Sequence, residues 1–230
     1  MDELEKYLAP GEFIDSGDPG VRAFAAARTA GAADDTARAV RLYYAVRDEI
    51  LYDPYFAGED PSYFRASDCL RVRRGFCIPK AALLAAVGRA AGIPSRVGFA
   101  DVRNHLMTAR LRALVGDAPI IWHGYTEFHL AGRWVKATPA FNLALCRRFG
   151  VVPLDFDGRT DSLFHAYDAS GRLHMEYLRD RGSFDDVPYA TLAHELRAAY
   201  PRWFAPRADD GATAFADEAA RETGHVSPAD

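Results

Sequence analysis

A run rich in alanine and leucine, bounded by helix start and stop signals, is the feature that most constrains this chain. It spans residues 79–91, PKAALLAAVGRAA, and Gly92-Ile93-Pro94 follows it. Proline suits the first turn of a helix, alanine and leucine favour helix, and a Gly-x-Pro sequence ends one. Apolar residues recur there at helical spacing, which predicts a buried helix that other elements must cover: Leu83, Leu84, Val87 and Ala90.

Cys77 lies where this helix is predicted to begin. Unpaired N–H groups and the positive end of the helix dipole favour a thiolate over a thiol at such a position. Arg73 and Arg74 add positive charge nearby. The alternative interpretation is a small apolar residue of the core, where most free cysteines lie. A reactive thiol also needs a base, so another part of the chain has to supply one.

A second informative stretch runs from Ile120 to Leu130 and contains a histidine. Its aromatic and β-branched residues predict a strand, and a turn with Gly132 leads to a second strand at residues 134–138, which Pro139 ends. A histidine near a carboxylate is also typical of an ordinary hydrogen-bonded pair. With a period of two, one polar and aromatic face of the first strand holds four residues: His123, Tyr125, Glu127 and His129.

Four motifs occur in order within residues 69–139: Cys77 after a glycine, the helix end at residues 91–97, His123-Gly-Tyr-Thr-Glu127, and Trp134 after a glycine turn. This order resembles the transglutaminase-like core of the papain-type cysteine superfamily. The run ending in Tyr52-Asp53-Pro54 is similar to what precedes the cysteine in such proteins. By this resemblance Cys77 is the nucleophile and His123 is the general base.

Position 138 departs from the family pattern, because Thr138 stands where an aspartate usually precedes the proline. Two hairpin registers would place a polar residue opposite His123. A four-residue turn at residues 129–132 pairs His123 with Thr138, and a two-residue turn at residues 132–133 pairs it with Asn142. Thr138 and Asn142 are therefore alternative candidates for the residue that orients His123.

The resemblance also implies a donor that helps the Cys77 backbone N–H to bind the oxyanion, and Tyr52 is the expected residue. The competing interpretation is a metal site built from His123, Glu127 and His129, since strand neighbours two apart can bind one ion. The chain offers no evident ligand from another strand, and a metal site would leave Cys77 unexplained. We therefore expect no metal and no cofactor.

Composition excludes several function classes. The net charge is −4, from 32 acidic and 28 basic residues, which favours neither a nucleic acid nor a membrane partner. No run is long and apolar enough to span a bilayer, and the charged N-terminus lacks the apolar core of a signal peptide. The cytoplasm is the expected location. The cysteines Cys69, Cys77 and Cys146 lack metal-binding CxxC spacing.

The order of predicted elements favours an α+β fold. N-terminal helices are expected over residues 21–30 and 34–50, and the nucleophile-bearing helix is expected to pack on an antiparallel sheet. A hairpin is predicted within residues 163–178, followed by a helix over residues 187–204 that is interrupted near Pro201. Residues 1–204 are expected to form one transglutaminase-like domain. Residues 205–230 are poor in large apolar groups and are expected to form a flexible tail.

These predictions lead to thiol-dependent acyl transfer through an acyl-Cys77 intermediate. Hydrolysis of an amide or peptide is the favoured reaction. One alternative is an acyltransferase that takes an acyl thioester and forms an amide or ester. A second is a catalytically silent binding module with the same fold. The expected partner is a peptide, amide or acyl-thioester substrate.

Overall fold

The computed structural model describes residues 4–105, 107–164, 171, 174–205, 211 and 213–223. Its helices and strands follow in chain order: α1 (Pro19–Thr29), α2 (Asp35–Glu49), β1 (Leu51–Tyr52), α3 (Ala66–Val72), β2 (Arg74–Gly75), α4 (Cys77–Ala90), β3 (Ser95–Asn104), α5 (Ala109–Val115), β4 (Ile120–Leu130), β5 (Arg133–Ala137), α6 (Leu143–Phe149), β6 (Met175–Phe184), α7 (Tyr189–Ala199), α8 (Pro201–Phe204) and α9 (Ala214–Thr223).

Helix α4 is the centre of the fold, as the Ala/Leu run predicts. Every residue from Cys77 to Arg89 is buried, so the helix is covered on all sides and not along one stripe alone. Helices α1, α2 and α3 pack on it, and strands β3 and β4 pack on it as well. Gly88 allows this close approach, because a Cβ there would lie 2.6 Å from Cε1 of Phe128. The helix ends before Gly92, whose φ of 80° requires a glycine-like backbone.

Four strands form one antiparallel sheet in the order β5-β4-β3-β6, and the two short strands β1 and β2 pair in parallel. The helices of the N-terminal part, including α4, therefore precede the strands of the antiparallel sheet in the chain. This order confirms the predicted α+β fold. The helix predicted over residues 34–50 is α2, capped by Asp34, whose Oδ1 accepts a hydrogen bond from the Ala37 N–H at 2.7 Å. The predicted interruption near Pro201 separates α7 from α8.

The hairpin between β4 and β5 differs from both predicted registers. Leu130 pairs with Arg133, so the two-residue turn consists of Ala131 and Gly132, with φ values of 49° and 82°. Both φ values are positive, as the tightest hairpin turns require. The sequence interpretation placed the turn elsewhere because it considered registers that put a polar partner opposite His123. Alanine also seldom adopts this conformation. If the observed register continued toward the start of β4, position 140 would lie opposite His123. Because β5 ends at Ala137, His123 has no partner on β5.

The second predicted hairpin lies partly outside the described residues, since residues 165–170, 172 and 173 are not among them. Its C-terminal part is confirmed as β6, which pairs with β3 from Met175 to Phe184. Among the described residues, one connected core of buried apolar side chains extends from Phe13 to Ala219. None of the helices in this part of the chain is long and apolar enough to cross a membrane.

Helix α9 lies within the segment predicted as a flexible tail, and here the structure differs from the sequence interpretation. Phe215 is 1% exposed and Ala219 is fully buried. The two are four residues apart and so share one face of the helix. Phe215 packs on Tyr52 and Phe149, with ring centroids 5.6 Å away in both cases. Phe215 is the one large apolar residue that docks this helix, and charged side chains of α9 add hydrogen bonds to Tyr55, Arg110 and Arg148.

Candidate active site

Cys77 is the first residue of α4, as predicted, and its side chain is 5% exposed. Burial raises the pKa of its thiol to about 11. Backbone N–H groups of Gly124, Ile78 and Cys77 itself oppose this rise by hydrogen bonding to the sulfur. Desolvation therefore outweighs the helix N-terminus, and the resting side chain is a neutral thiol at pH 7.

The two arginines before Cys77 bind other partners. Arg74 Nη1 lies 3.2 Å from Asp53 Oδ2, and its guanidinium lies over the Phe56 ring at 4.1 Å. Arg73 Nη1 lies 3.6 Å from Glu49 Oε2. Neither arginine is among the causes that lower the pKa of Cys77. The positive charges that the sequence places before Cys77 are therefore paired with Glu49 and Asp53 in the structure.

His123 lies on β4 beside an irregular stretch of backbone. The register of β3 with β4 shifts between Ala100 and Val102, and Trp122 has a φ of 59°. Burial lowers the pKa of His123 to about 4, and the charge of His174 lowers it further. His123 Nε2 is buried and has no hydrogen-bond partner among the described residues. The imidazole is thus neutral at pH 7 and able to accept a proton.

Cys77 and His123 line the same cavity, together with Tyr52. Gly124 brings the strand against the helix, because a Cβ at this position would lie 3.1 Å from Ile78 Cα and 3.3 Å from the Cys77 carbonyl oxygen. A larger residue at position 124 would separate the elements that carry the two side chains. The three residues that the sequence interpretation placed at the reacting centre therefore share one site.

Tyr52 reaches this cavity from β1. Burial raises the pKa of its phenol well above the ordinary value, and the Cys77 thiolate charge raises it further. The phenol therefore stays protonated and keeps a hydrogen-bond donor beside Cys77. The Tyr52 ring packs edge-on against Phe141 at 4.8 Å between centroids.

Thr138 and Asn142 do not line the cavity. Asn142 Oδ1 accepts a hydrogen bond from the Tyr52 backbone N–H at 3.2 Å, and the residue caps the start of α6. Thr138 donates its backbone N–H to the Ser162 carbonyl at 3.0 Å, and its own carbonyl accepts from the Tyr43 hydroxyl. Asn142 therefore acts on Tyr52 in this structure, and the observed hairpin register pairs neither candidate with His123.

The residues of the alternative metal site have separate partners. Glu127 forms an ion pair with Arg96, and His129 packs on Trp134 with 5.2 Å between ring centroids. No group of three His, Cys, Asp or Glu side chains in the described part of the chain could hold a metal ion. Glu127 and His129 therefore contact residues other than His123.

Sequence reasoning missed an aromatic cluster beside His123. The Phe164 ring lies 5.2 Å from the His123 ring and 5.6 Å from the ring of His174, which is 2% exposed. Phe141 packs on both Phe164 and His174. These residues come from segments after β5 that carry no recognisable motif, so only the folded chain brings them together.

Lys80 was also missed. It is fully buried one turn after Cys77, and burial lowers its pKa to about 7. Its Nζ donates hydrogen bonds to the carbonyls of Arg47, at 3.0 Å, and Ile50 at the end of α2. A lysine in the middle of an otherwise apolar helix start was the available signal. Lys80 ties the beginning of α4 to the end of α2.

Comparisons with known proteins agree with this geometry. The chain is similar to a solved structure from Cytophaga hutchinsonii named a "putative cysteine protease", with 16% identity and a TM-score of 0.50. That match covers 81% of this chain and 48% of the other, so this chain spans about half the length of that protein. A structure named a "putative protease" from Parabacteroides distasonis has 20% identity and a TM-score of 0.39, covering 61% and 26%. The shared fold rests on the first of these.

No curated protein matches the chain. A family model described as the transglutaminase-like superfamily matches residues 22–139, about half of the chain, and this range includes Cys77, His123 and Tyr52. The chain therefore belongs to the transglutaminase-like superfamily.

Proposed function

We propose that this protein is a thiol-dependent hydrolase that cleaves amide or peptide bonds through an acyl-Cys77 intermediate. The observation that carries the proposal is that Cys77, at a helix N-terminus, lines one cavity with a buried neutral His123. A thiol and an imidazole are the nucleophile and base of acyl transfer. The name of the Cytophaga protein supports a peptide-type substrate.

The reaction begins with both groups neutral. His123 takes the thiol proton as the Cys77 sulfur attacks the substrate carbonyl, and a carbon–sulfur bond forms. The carbonyl oxygen becomes an oxyanion, to which the Cys77 backbone N–H and the Tyr52 hydroxyl donate hydrogen bonds. The imidazolium then protonates the leaving amine as the carbon–nitrogen bond breaks. In the second half, His123 deprotonates water, which attacks the acyl carbon. The carbon–sulfur bond then breaks, the imidazolium returns its proton to the Cys77 sulfur, and the carboxylic acid leaves.

The observed register pairs neither predicted orienting residue, Thr138 or Asn142, with His123, so this proposal gives Asn142 a role through its contact with Tyr52. The observed contact of Asn142 with the Tyr52 backbone favours a role for Asn142 at the oxyanion side of the site. Asn142→Ala is then expected to reduce turnover more than Thr138→Ala, through displacement of Tyr52. Tyr52→Phe should lower turnover without changing the order of alkylation of the cysteines.

The function is tested by trapping the intermediate. Peptides and acyl thioesters are incubated with the protein, with and without hydroxylamine, and acyl-Cys77 is identified by peptide mass spectrometry. Peptides are expected to acylate Cys77 and to be hydrolysed without added amine. Cys77→Ser and His123→Gln should abolish turnover, whereas Cys146→Ser, a buried thiol outside the cavity, should retain it.

Other results of this experiment separate the alternatives. Acylation by thioesters but not by peptides, with product only when an amine is present, would replace hydrolysis by the acyltransferase function. Absence of acylation with every donor would favour the binding module.

A further inference from the structure

The cavity at Cys77 has a wall of largely apolar side chains. Beyond the reacting centre the wall comes from β3, α5, the start of β4, α7 and α8. No Asp, Glu, Lys or Arg is among the described residues that line it. Its aliphatic members include four residues: Val102, Leu111, Val115 and Leu196.

The polar atoms of three aromatic residues of the wall are hydrogen-bonded to other parts of the protein. Trp203 Nε1 donates to the Pro54 carbonyl at 2.6 Å, and Trp122 Nε1 donates to Glu195 Oε2 at 2.9 Å. The Tyr200 hydroxyl accepts from the Ile121 N–H at 2.8 Å and donates to a backbone carbonyl. These donors and acceptors are occupied, so the rings offer apolar surface. A charged group that entered would lose its hydration without gaining a group of opposite charge, since Asn104 is the polar residue that the wall adds beyond the reacting centre.

The size of the cavity limits what it holds. The cavity volume is about 60 Å³. A water molecule needs about 10–15 Å³, so the cavity holds about four to six groups of that size. This is the size of a single aliphatic side chain and not of a long lipid tail.

We propose that this cavity binds the side chain of the acyl group transferred to Cys77 and selects uncharged apolar side chains of about four to six heavy atoms, such as the four carbons of a leucine side chain or the five carbons that follow the carbonyl of a hexanoyl group. The inference rests on the proposed acyl-transfer function of Cys77. Each methylene that enters leaves water and contacts the wall, which strengthens binding about fourfold. Chains longer than the cavity lose this gain.

The test uses the full chain and a series of 4-nitrophenyl esters: acetate, butyrate, hexanoate, decanoate and hemisuccinate. In each reaction the Cys77 sulfur forms a bond to the acyl carbon, the carbon–oxygen bond breaks, and 4-nitrophenolate leaves while His123 takes the thiol proton. Acylation is measured as the nitrophenolate burst and as the acyl mass on Cys77. We expect the second-order rate to rise about fourfold for each methylene up to hexanoate. It should fall for decanoate, and hemisuccinate should react more slowly than butyrate.

A paired set of variants locates the selection in this cavity. Leu111→Trp fills part of it and should move the preferred ester from hexanoate to butyrate. Ala113→Trp places the same ring on the exposed side of the same helix and should leave the preference unchanged. Thermal melting shows that both variants are folded. Equal acylation by acetate, hexanoate and hemisuccinate in the wild-type protein would overturn the proposal.

A binding experiment separates this inference from the proposed function. Cys77→Ser is titrated with acetamide and with hexanamide, and binding is followed by the fluorescence of Trp122 and Trp203, which line the cavity. Tighter binding of hexanamide without acylation by any ester would refute acyl transfer and retain the apolar specificity. Acylation without a chain-length preference would refute the specificity and retain acyl transfer. If hexanamide binds no better than acetamide, the proposed cavity specificity is wrong.

Discussion

Burial sets the charge state of the two reacting side chains. The pKa of Cys77 rises to about 11 and that of His123 falls to about 4, so neither is charged at neutral pH. A preformed thiolate–imidazolium pair would need the opposite shifts. In the proposed reaction, proton transfer from sulfur to nitrogen therefore accompanies attack on the substrate, and the barrier includes the cost of forming this ion pair.

Alkylation with iodoacetamide tests this charge state. Cys77 should react before Cys69 and Cys146, because burial raises the pKa of the other two thiols to about 12 and neither lines the cavity. Its rate should increase about tenfold per pH unit from pH 6 to pH 9, since the thiolate fraction does. Peptide mapping by mass spectrometry follows each site. A rate plateau across neutral pH would demonstrate an ion pair, and first labelling of Cys69 or Cys146 would contradict the reactive role of Cys77.

The residues that line the candidate site were predictable from the sequence, but their protonation was not. Motif order was enough to place Cys77, His123 and Tyr52 at one site. The helix dipole contributes only about 0.3–1 kcal/mol at a terminus, whereas one pKa unit corresponds to about 1.4 kcal/mol. The upward shift at Cys77 therefore depends on how completely the fold removes water, which local sequence does not encode.

At the scale of elements, the site depends on how closely β4 approaches α4. Gly124 is the contact point, and the atoms nearest to a substituted Cβ are backbone atoms of Ile78 and Cys77, which cannot rotate away. A methyl group at this position forces the strand and the helix apart. The reacting side chains, one on each element, then separate.

Gly124→Ala should therefore lower the free energy of unfolding by about 1–3 kcal/mol, the usual cost of overpacking. It should also reduce the acylation rate of Cys77 by about 10- to 100-fold, because small misplacements of reacting groups have effects of that size. Gly17→Ala is the control, since the nearest atom to its Cβ would lie at an ordinary 3.5 Å. Unchanged acylation in Gly124→Ala would show that this contact does not position the site.

Lys80 makes a second connection between elements. Lys80→Met removes the donor from two carbonyls at the end of α2 and should lower the free energy of unfolding by about 1–3 kcal/mol. Urea denaturation measures the change. Lys6→Met, at an exposed lysine, should have no effect. A variant as stable as the wild type would mean that the two carbonyls find other donors.

The stabilising effect of Lys80 should depend on pH in a definite direction. Burial lowers its pKa from 10.5 to about 7, so between these values the unfolded chain binds more protons than the folded one. The wild type should therefore gain stability relative to Lys80→Met as pH rises from 7 to 10.5, and the difference should level off below about pH 7, where both states bind the proton. Repeating the urea series at pH 7 and pH 9 detects the change, and an equal difference at both values would contradict it.

Helix positions and the α+β order were predictable because their signals are local. The hairpin register was not, because Ala131 adopts a left-handed conformation that favours glycine or asparagine. Nothing in the residues around it reveals this choice. The wrong register changed the prediction for the candidate site, because it placed Thr138 or Asn142 opposite His123. In the observed β4–β5 pairing neither residue lies opposite His123.

At the scale of the whole molecule, α9 supports the site from outside. Phe215 packs on Tyr52, and Glu218 accepts hydrogen bonds from Tyr55 and Arg110. Glu222 Oε2 accepts the Ala109 N–H at 2.9 Å, at the beginning of α5. The C-terminal helix thus holds both the predicted oxyanion donor and the helix that forms one wall of the cavity.

Phe215→Ala should lower the free energy of unfolding by about 3–5 kcal/mol, the usual effect of removing a fully buried ring. It should also weaken the preference for hexanoate over acetate, because α5 loses its support. Thermal melting and the ester series measure the two effects. Arg221→Ala, on the exposed side of α9, is the control. If Phe215→Ala melts like the wild type, α9 is not docked and the tail is flexible as the composition suggested.

Trp122 restricts the order in which this chain can accept mutations. Its φ of 59° costs a residue with a Cβ about 1–2 kcal/mol, and the Asp101 carboxylate holds it there by accepting its N–H at 3.1 Å. Arg181 binds the same carboxylate. Substitution of Asp101 in the wild type therefore removes the hydrogen bond that holds the strained backbone beside His123. After Trp122→Gly the backbone at position 122 is no longer strained, so the same substitution has no such effect. The effects of the two substitutions on stability should therefore not add. In evolution, the double change is more accessible when Trp122→Gly occurs first, although this change removes an indole ring from the cavity wall.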